Sequence, residues 1–430
     1  MKIIYIIFFV ASIVLITNLE GNDNPKVRPS KESIENTDKL QLGIDLLIES
    51  DFQPINGKKI GLLTNNSGRT SEGILSAEAI SKSKKCTLTT LFSPEHGFWT
   101  AVPAGDYVAD EKLFDIPVIS LYGKQRRPTR EMLSECEIIL IDIQDIGVRS
   151  YTYLSTIYNM LDAAAEYGIP VFILDRPNPL GGSVVDGNVV EKGKDSFVGI
   201  APVAYVHGCT IGELAKMIVG EGWLHKDSKG KPRKCELTVI KMKNWNRKKV
   251  WEDTGLMWIP TSPHIPSPDA CRGYATIGFL GELGIIGIGI GTTSPFQYIG
   301  MPDFKIAEFA DKLSSYDFNG IKLIASKFRP LYGANSGKDC LGFYLKFAQK
   351  QGFAPFSAGI KIMLALRSVY PSLFTSMTME SKTKKMFEKV TGTDDLIEAF
   401  LNGSADEKIL KLAVAGLDNY INIRQKYLLY

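Results

Sequence analysis

Short apolar runs alternate with helix-like segments from Leu42 onward, and this alternation restricts the possible folds more than any other feature of the sequence. Five runs are predicted strands, and their nearly continuous apolar character is typical of strands covered on both faces. They lie at 59–64, 88–92, 116–121, 137–143 and 169–174. Helical patterns near 71–83, 128–134 and 151–167 separate several of them. The alternation predicts a doubly wound parallel sheet with crossover helices, an α/β fold.

A capping-box spacing and one more apolar run complete this first predicted domain. Thr210 precedes Glu213 by three residues, which predicts that a helix begins there. Residues 235–240 form the next predicted strand, and the domain covers 41–262. A segment rich in Pro and Ser then leads into a smaller α/β domain at 263–430. Within it we expect helices at 305–315, 358–369 and 407–426, and a strand at 321–325.

The amino terminus has the pattern of an export signal. Lys2 precedes an apolar block at 3–16, which is shorter than the ~20 residues that a membrane-spanning helix needs. We therefore expect a signal peptide at 1–22, a polar linker at 23–40 and a periplasmic or extracellular location. An uncleaved membrane anchor is the alternative.

Composition and motifs argue against several classes of function. The net charge of +3 gives no electrostatic reason to expect a nucleic-acid partner. The six cysteines lie mostly in apolar runs without a C-x-x-C pair, so we expect buried free thiols. The four histidines lack metal-ligand spacing. The sequence contains neither a P-loop nor a G-x-S-x-G motif. We therefore expect no metal and no cofactor.

Polar side chains follow the predicted strands at the points where the strands end. Because the carboxyl ends of parallel strands open at one edge of a sheet, we expect these side chains to meet in one crevice. In chain order they are Asn65, Asn66, Glu95, His96, Tyr122, Asp142, Gln144, Asp145, Arg149, Asp175, Arg176 and Asn178. For each residue taken alone, a role in capping a loop is the alternative, since Asn, Asp and Ser favour turns.

Carboxyl groups in such a crevice suit glycoside hydrolysis, which uses one protonated carboxylic acid and one ionised carboxylate. Glu95 precedes the aromatic residues Phe98 and Trp99, where partial desolvation would favour the protonated form that a general acid needs. Asp142 and Asp145 are the candidates for the ionised partner. A structural role in orienting a loop is the alternative for Asp142.

Three further charged residues have both a functional and a structural interpretation. Arg149 and Arg176 could bind an anionic substrate group, or form salt bridges with nearby aspartates. Glu282 lies in an apolar, Gly-rich stretch, and a buried Glu needs either a partner or a proton. We favour a site carboxylate that reaches in from the second domain, with a buried ion pair as the alternative.

Several of these motifs together resemble a known family, the NamZ exo-β-N-acetylmuramidases that process bacterial peptidoglycan. The strings that carry the resemblance are SPEHGF at 93–98, SLYG at 120–123, DIQDIGVRSYTY at 142–153, DRPNPLGG at 175–182 and HGCTIGELA at 207–215. The resemblance extends from about Leu42 to the end of the chain. It implies a Rossmann-like domain, a smaller carboxy-terminal domain and a cleft between them. It also implies hydrolysis of a terminal β-1,4-linked N-acetylmuramic acid from the non-reducing end of a glycan, without a metal or organic cofactor.

The resemblance also bears on individual residues. The motif glutamate falls on Glu95, and the motif aspartates fall on Asp142 and Asp145. Many members carry an Arg at the position of Ile290, so recognition of the lactyl carboxylate or of an attached peptide is expected to differ here. The expected substrate-binding residues are Asn65, Asn66, His96, Tyr122, Gln144, Arg149, Tyr151, Asp175, Arg176, Asn178, His207 and Glu282. Two other functions stay open at this point, a non-catalytic binding protein for muropeptides or sugars and another cell-wall hydrolase such as an amidase or deacetylase.

Overall fold

A seven-stranded sheet dominates the first half of the chain in the computed structural model, which describes residues 39–348, 350, 352–375 and 380–430. The strands of the described chain are β1 Lys59–Thr64, β2 Thr87–Ser93, β3 Glu111–Leu113, β4 Ile116–Ser120, β5 Ile138–Asp142, β6 Val171–Leu174, β7 Asp186–Val189, β8 Ala204–Val206, β9 Leu237–Ile240, β10 Tyr298–Met301, β11 Ile321–Phe328 and β12 Cys340–Phe347. The large sheet has the order β3-β4-β2-β1-β5-β6-β9. Its pairs are parallel except for β3 and β4 at one edge. The predicted parallel sheet is therefore confirmed.

Seven of the eleven α-helices of the described chain lie where the sequence pattern predicts a helix, and the helices at 43–49, 268–277, 381–391 and 395–401 were not predicted. In chain order the eleven helices are α1 Gly43–Glu49, α2 Ser76–Ser81, α3 Tyr153–Tyr167, α4 Ile211–Gly220, α5 Pro268–Ile277, α6 Ile306–Ser314, α7 Pro355–Val369, α8 Ser381–Thr391, α9 Asp395–Leu401, α10 Asp406–Leu412 and α11 Leu417–Gln425. The capping box that begins α4 is present, because the Thr210 hydroxyl accepts from the Glu213 N–H and the Glu213 carboxylate accepts from the Thr210 N–H.

Two predicted helices differ from the structure. The helix predicted at 128–134 is replaced by turns at 130–135, because the segment is short and β5 begins only a few residues later. The helix predicted at 407–426 is divided into α10 and α11 by Gly416, whose φ of +78° lies in the left-handed region.

Both faces of the large sheet are covered, as the continuous apolar strands predict. Side chains point alternately to opposite faces of a strand. Ile60 and Leu62 of β1 belong to a core cluster that contains residues of α1 and α2. Leu63 belongs to a second and larger cluster that contains residues of α3 and α4. Strands β1 and β5 are thus buried almost completely, including Thr64 and Asp142 at their carboxyl ends.

The second half of the chain packs directly onto the first. It contains the antiparallel sheet β10-β12-β11, and the larger core cluster continues into it without a break. Tyr205 of β8 contacts Phe356 of α7 with ring centroids 4.5 Å apart, and Phe279 contacts Phe356 at 4.8 Å. The larger cluster therefore spans both halves of the described chain and fixes them around the site described below.

Three expectations concern the ends of the chain and the cysteines. The predicted signal peptide at 1–22 and most of the linker at 23–40 lie outside the described residues. Within the described part of the chain, no helix has the length and apolar character required to cross a membrane. All six cysteines are buried and unpaired, which confirms the expected free thiols.

Candidate active site

A cavity of about 230 Å³ lies where the two halves of the chain meet. The first half contributes Glu95 and His96, which follow β2, and residues 150–152, which precede α3. The crossing segment contributes Ser262 and His264. The second half contributes an apolar wall from the Gly-rich stretch at 286–290 together with Glu282 and Tyr274. Two carboxyl groups, two imidazoles and several aromatic rings therefore line the same cavity.

The Glu95 carboxylate is held in one orientation by hydrogen bonds to both of its oxygens. The Gly105 N–H donates to Oε1 at 3.0 Å, and the Thr152 hydroxyl donates to Oε2 at 2.6 Å. Tyr122 lies close by, and burial together with the Glu95 carboxylate raises the pKa of Tyr122 to about 12. The phenol of Tyr122 therefore stays protonated at neutral pH beside the carboxylate.

His96 occupies a strained turn next to this carboxylate. Its φ is +74°, and the following Gly97 has a φ of +73°. A left-handed conformation is uncommon for a residue with a side chain, and it often marks a functional position. His96 Nδ1 lies 2.7 Å from the Val102 carbonyl oxygen, so Nδ1 carries the proton. Burial lowers the pKa of His96, although the Glu95 carboxylate opposes this shift.

Glu282 is the second carboxyl group of the cavity, and its surroundings differ from those of Glu95. It lies in the 3₁₀ turn Gly278–Leu283, which ends at Gly284 with a φ of +68°. No described residue donates a hydrogen bond to its carboxylate or pairs with it, and burial raises the pKa of Glu282. The environment therefore favours the protonated acid. The sequence-based expectation that Glu282 reaches the site from the second half agrees with this position.

Asp142 has a structural position outside the cavity. It is fully buried, and Arg176 donates to it from Nε at 2.5 Å and from Nη2 at 3.0 Å. The Ser76 hydroxyl also donates to the Asp142 carboxylate. Arg176 Nη2 also donates a hydrogen bond to the Arg69 carbonyl. We therefore revise the expected catalytic role of Asp142, because its carboxylate is already occupied by this ion pair.

Asp145 and His207 form a second buried pair behind the cavity wall. Asp145 Oδ2 accepts from the Gly147 N–H at 2.7 Å and lies 3.3 Å from His207 Nε2. His207 Nδ1 accepts from the Cys209 N–H, which leaves the ring proton on Nε2, facing the carboxylate. Neither side chain lines the cavity. This pair positions the loop at 145–149, and we revise the expected roles of both residues in catalysis and substrate binding.

Arg149 is also removed from the site. Its guanidinium is fully buried and donates to the carbonyls of Asn188, Val203, Val390 and Thr391 at 2.6–3.2 Å. Val390 and Thr391 end α8, where the last carbonyls of a helix lack partners within the helix. Arg149 therefore caps α8 and joins the two halves of the chain, and the expectation that it binds a substrate anion is corrected.

Three further predicted residues stabilise loops. Asn65 Nδ2 donates to the Tyr153 hydroxyl at 2.7 Å, and Asn178 Nδ2 donates to the Cys209 carbonyl at 3.0 Å. Asp175 accepts from the Gly212 N–H at 2.9 Å at the beginning of α4. These contacts agree with the alternative that the three residues cap loops, and their side chains do not line the cavity.

The predicted set therefore divides between two places on the same sheet edge. The strand order changes direction between β1 and β5, because β2 and β4 lie on one side of β1, and β5 and β6 lie on the other. A separate crevice of about 490 Å³ opens at this point, and its lining includes Gln144, Arg176 and Arg69. Asn66 lies next to this crevice, since its carbonyl accepts from Arg69 Nε at 2.9 Å. The carboxyl groups lie in the cavity beside β2 instead. Glu95, His96, Tyr151 and Glu282 line that cavity, and Tyr122 lies against Glu95.

Several cavity residues were missed by the sequence analysis. Thr152 binds Glu95, and its position within the SYTY string at 150–153 was the available signal. His264 belongs to the Pro-rich crossing segment, and Tyr274 and Tyr332 come from the second half. No local pattern distinguishes these three residues, because they reach the cavity only through long-range packing.

Comparisons with known proteins agree with this architecture. The family model described as exo-β-N-acetylmuramidase NamZ, N-terminal, matches residues 60–269, and the corresponding C-terminal model matches residues 272–430. A peptidoglycan β-N-acetylmuramidase NamZ from Bacillus subtilis strain 168 is 36% identical over 93% of this chain and 94% of its own length.

Two crystal structures of DUF1343 family proteins from Bacteroides fragilis NCTC 9343 are similar in fold. The first has a TM-score of 0.84 and 35% identity, and it covers 91% of this chain and 99% of its own. The second has a TM-score of 0.69 and 26% identity with the same coverage of 91% and 99%. The mixed sheet and the two-part architecture are therefore shared with solved structures.

Proposed function

Because this chain belongs to the exo-β-N-acetylmuramidase NamZ family, we propose that it hydrolyses terminal, non-reducing β-1,4-linked N-acetylmuramic acid from peptidoglycan fragments. The observation that carries the proposal is the meeting of Glu95 and Glu282 in one cavity, one from each half of the chain. Two carboxyl groups in different environments are what glycoside hydrolysis requires. The aromatic rings of Tyr151 and Tyr274 in the same lining suit the apolar faces of a sugar.

The surroundings of the two carboxyl groups suggest a division of roles. Glu282 has burial but no hydrogen-bond donor among the described residues, so it is the better candidate for the general acid that protonates the leaving oxygen. Glu95 accepts hydrogen bonds from Gly105 and Thr152, so it is the better candidate for the ionised partner. The sequence pattern alone favours Glu95 as the general acid, whereas here Glu95 is the ionised partner. Glu282 takes the place of Asp142 and Asp145 in the catalytic pair.

The proposed location of the activity follows from the sequence. The apolar block at 3–16 supports export to the periplasm or the cell exterior, where peptidoglycan lies. Fractionation of the producing cells, together with amino-terminal sequencing of the mature protein, tests this part of the proposal. A full-length protein retained in the cytoplasm would contradict it.

The activity is tested with a disaccharide of N-acetylmuramic acid linked β-1,4 to N-acetylglucosamine. We expect release of N-acetylmuramic acid, and we expect Glu95→Gln and Glu282→Gln each to lower the rate about a hundredfold or more. Glu308→Gln is the matched control, since Glu308 is an exposed residue of α6 that pairs with Lys305 at the surface. Binding of the disaccharide without turnover would indicate a non-catalytic binding protein instead.

The division of roles is tested with an aryl β-N-acetylmuramide that carries a good leaving group. Such a leaving group departs without protonation, so Glu282→Gln should lose less than about tenfold on it while Glu95→Gln should remain strongly impaired. The opposite order would assign the general acid to Glu95. If both variants lose only a small and equal part of the activity, neither glutamate takes part in the chemical step.

A further inference from the structure

The charges that line the cavity do not match an anionic sugar in the usual way. The lining contains the carboxyl groups of Glu95 and Glu282, and no lysine or arginine of the described chain belongs to it. Arg149 and Arg176, the two arginines expected at the site, are buried elsewhere. N-Acetylmuramic acid carries a carboxylate on its lactyl group, so under the proposed function this anion needs a partner other than a guanidinium or an ammonium.

The two imidazoles of the lining are the remaining groups that can become cationic. His264 is half-buried, and its side chain forms no hydrogen bond with any described residue. Its ring lies 6.4 Å from the ring of Tyr332, measured between centroids, in the same lining. A half-buried imidazole with both nitrogens unused is available to a ligand.

His96 complements His264 within the cavity. Because the Nδ1–H of His96 donates to the Val102 carbonyl, Nε2 is the ring nitrogen that can bind a ligand. In a neutral ring this nitrogen accepts a hydrogen bond, and in a protonated ring it donates one. An anion would therefore favour the protonated form of His96.

We propose that His264, together with His96, binds the substrate carboxylate and so selects N-acetylmuramic acid over uncharged N-acetylhexosamines. This assignment rests on the proposed function. His264 acts as a specificity-determining residue, and the two glutamates keep the chemical step.

The electrostatics of the empty cavity are consistent with such a pair. Burial lowers the pKa of His264, and the neighbouring His96 lowers it further. The other titratable groups of the lining are Glu95, Glu282 and the tyrosines Tyr151, Tyr274 and Tyr332. Burial raises the pKa of Tyr151 and of Tyr274 well above the usual range, so both phenols stay neutral. A bound carboxylate opposes the repulsion between the imidazoles and should therefore bring a proton with it.

The test compares an aryl β-N-acetylmuramide with its methyl ester, which lacks only the negative charge. For His264→Gln we expect KM for the free acid to rise about tenfold, with kcat within about twofold of wild type and with KM for the ester unchanged. For the wild type, KM for the free acid should rise between about pH 5 and pH 8, whereas KM for the ester should not. The ester controls for pH effects that do not depend on the substrate charge, because both substrates meet the same protein groups.

His225→Gln is the matched control, since His225 lies outside the cavity and pairs with Asp162. An unchanged KM of His264→Gln for the free acid would overturn the assignment, and so would an equal rise for the ester. Absence of turnover of both glycosides by the wild type would instead refute the proposed function and, with it, this assignment.

A second measurement needs no variant. Calorimetric titration of the wild type with N-acetylmuramic acid, in two buffers of different ionisation enthalpy, should reveal proton uptake near pH 7. The methyl ester of the same sugar should bind without proton uptake. Equal proton exchange for the two ligands would overturn the assignment independently of the kinetics.

Discussion

Replacement of Arg149 by Met tests whether this buried guanidinium has a structural role. The side chain of Met is similar in length and apolar, so the volume is largely kept while the four hydrogen bonds to backbone carbonyls are lost. Burial lowers the pKa of Arg149 to about 10, so the guanidinium is still charged at neutral pH. The substitution therefore also removes a cation from the carboxyl end of α8, where the helix dipole favours one.

The magnitude follows from counting the carbonyls. All four carbonyls lose the Arg149 donor, but the Thr391 carbonyl keeps a second donor, Asn188 Nδ2 at 2.7 Å, so the cost falls on the other three. Each unsatisfied buried carbonyl costs about 1–3 kcal/mol. Release of the buried charge offsets several kcal/mol of this cost. We expect a net decrease of about 3 kcal/mol in the free energy of unfolding, a large part of the 5–15 kcal/mol that is typical of proteins.

Urea denaturation followed by intrinsic fluorescence measures this decrease, and Arg149→Lys provides the intermediate case. An ammonium has three donors and no fork, so the Lys variant should lie between wild type and Arg149→Met. Under conditions where the variants are folded, KM should equal that of wild type. An unchanged unfolding midpoint combined with a raised KM would refute the structural role and restore Arg149 to substrate binding.

Three other predictions test separate parts of the account. Asp142→Asn leaves the buried Arg176 without its carboxylate, so it should lower the free energy of unfolding in urea by about 3 kcal/mol. The folded variant should keep the kcat/KM of wild type, and a selective loss of kcat would contradict this prediction. If Glu282 is the general acid, kcat/KM for the methyl ester of the disaccharide, on which His96 and His264 have no carboxylate to bind, should fall as the pH rises through the raised pKa of Glu282, and Glu282→Gln should abolish that alkaline decrease. Gly359→Ala places a Cβ 1.8 Å from the Thr276 carbonyl oxygen, so it should destabilise the contact between α7 and α5 by about 1–3 kcal/mol. Thermal or urea unfolding measures this change, and a variant as stable as wild type would contradict the close approach of the two helices.

The large sheet was predictable because its signal is local. Strand β1 has the bounds 59–64 that the apolar run predicts, and β5 ends one residue before its predicted end. Continuous apolar runs specify burial on both faces whatever the rest of the chain does. The edge strand β3 was missed because its residues are polar and exposed, and its pairing with β4 depends on a turn rather than on burial.

The candidate site was predictable only in part, for a physical reason. The sheet edge collects polar side chains of two kinds, those that face a ligand and those that hold the loops, and both kinds have the same composition. Asp142 and Asp145 resemble site carboxylates in the sequence, yet each has a buried cationic or imidazole partner. His264 lies in a segment whose sequence indicates only a crossing, and long-range packing brings it to Glu95 and His96.

The central claim is that Glu95 and Glu282 act on one sugar in the cavity between the two halves of the chain. A crystal structure of the inactive Glu95→Gln variant with N-acetylmuramic acid bound tests it most directly. We predict density for the sugar in this cavity, with the side chains of residues 95 and 282 flanking the anomeric carbon. Sugar bound only in the crevice beside Gln144 and Arg176, with both glutamates distant from it, would contradict the claim.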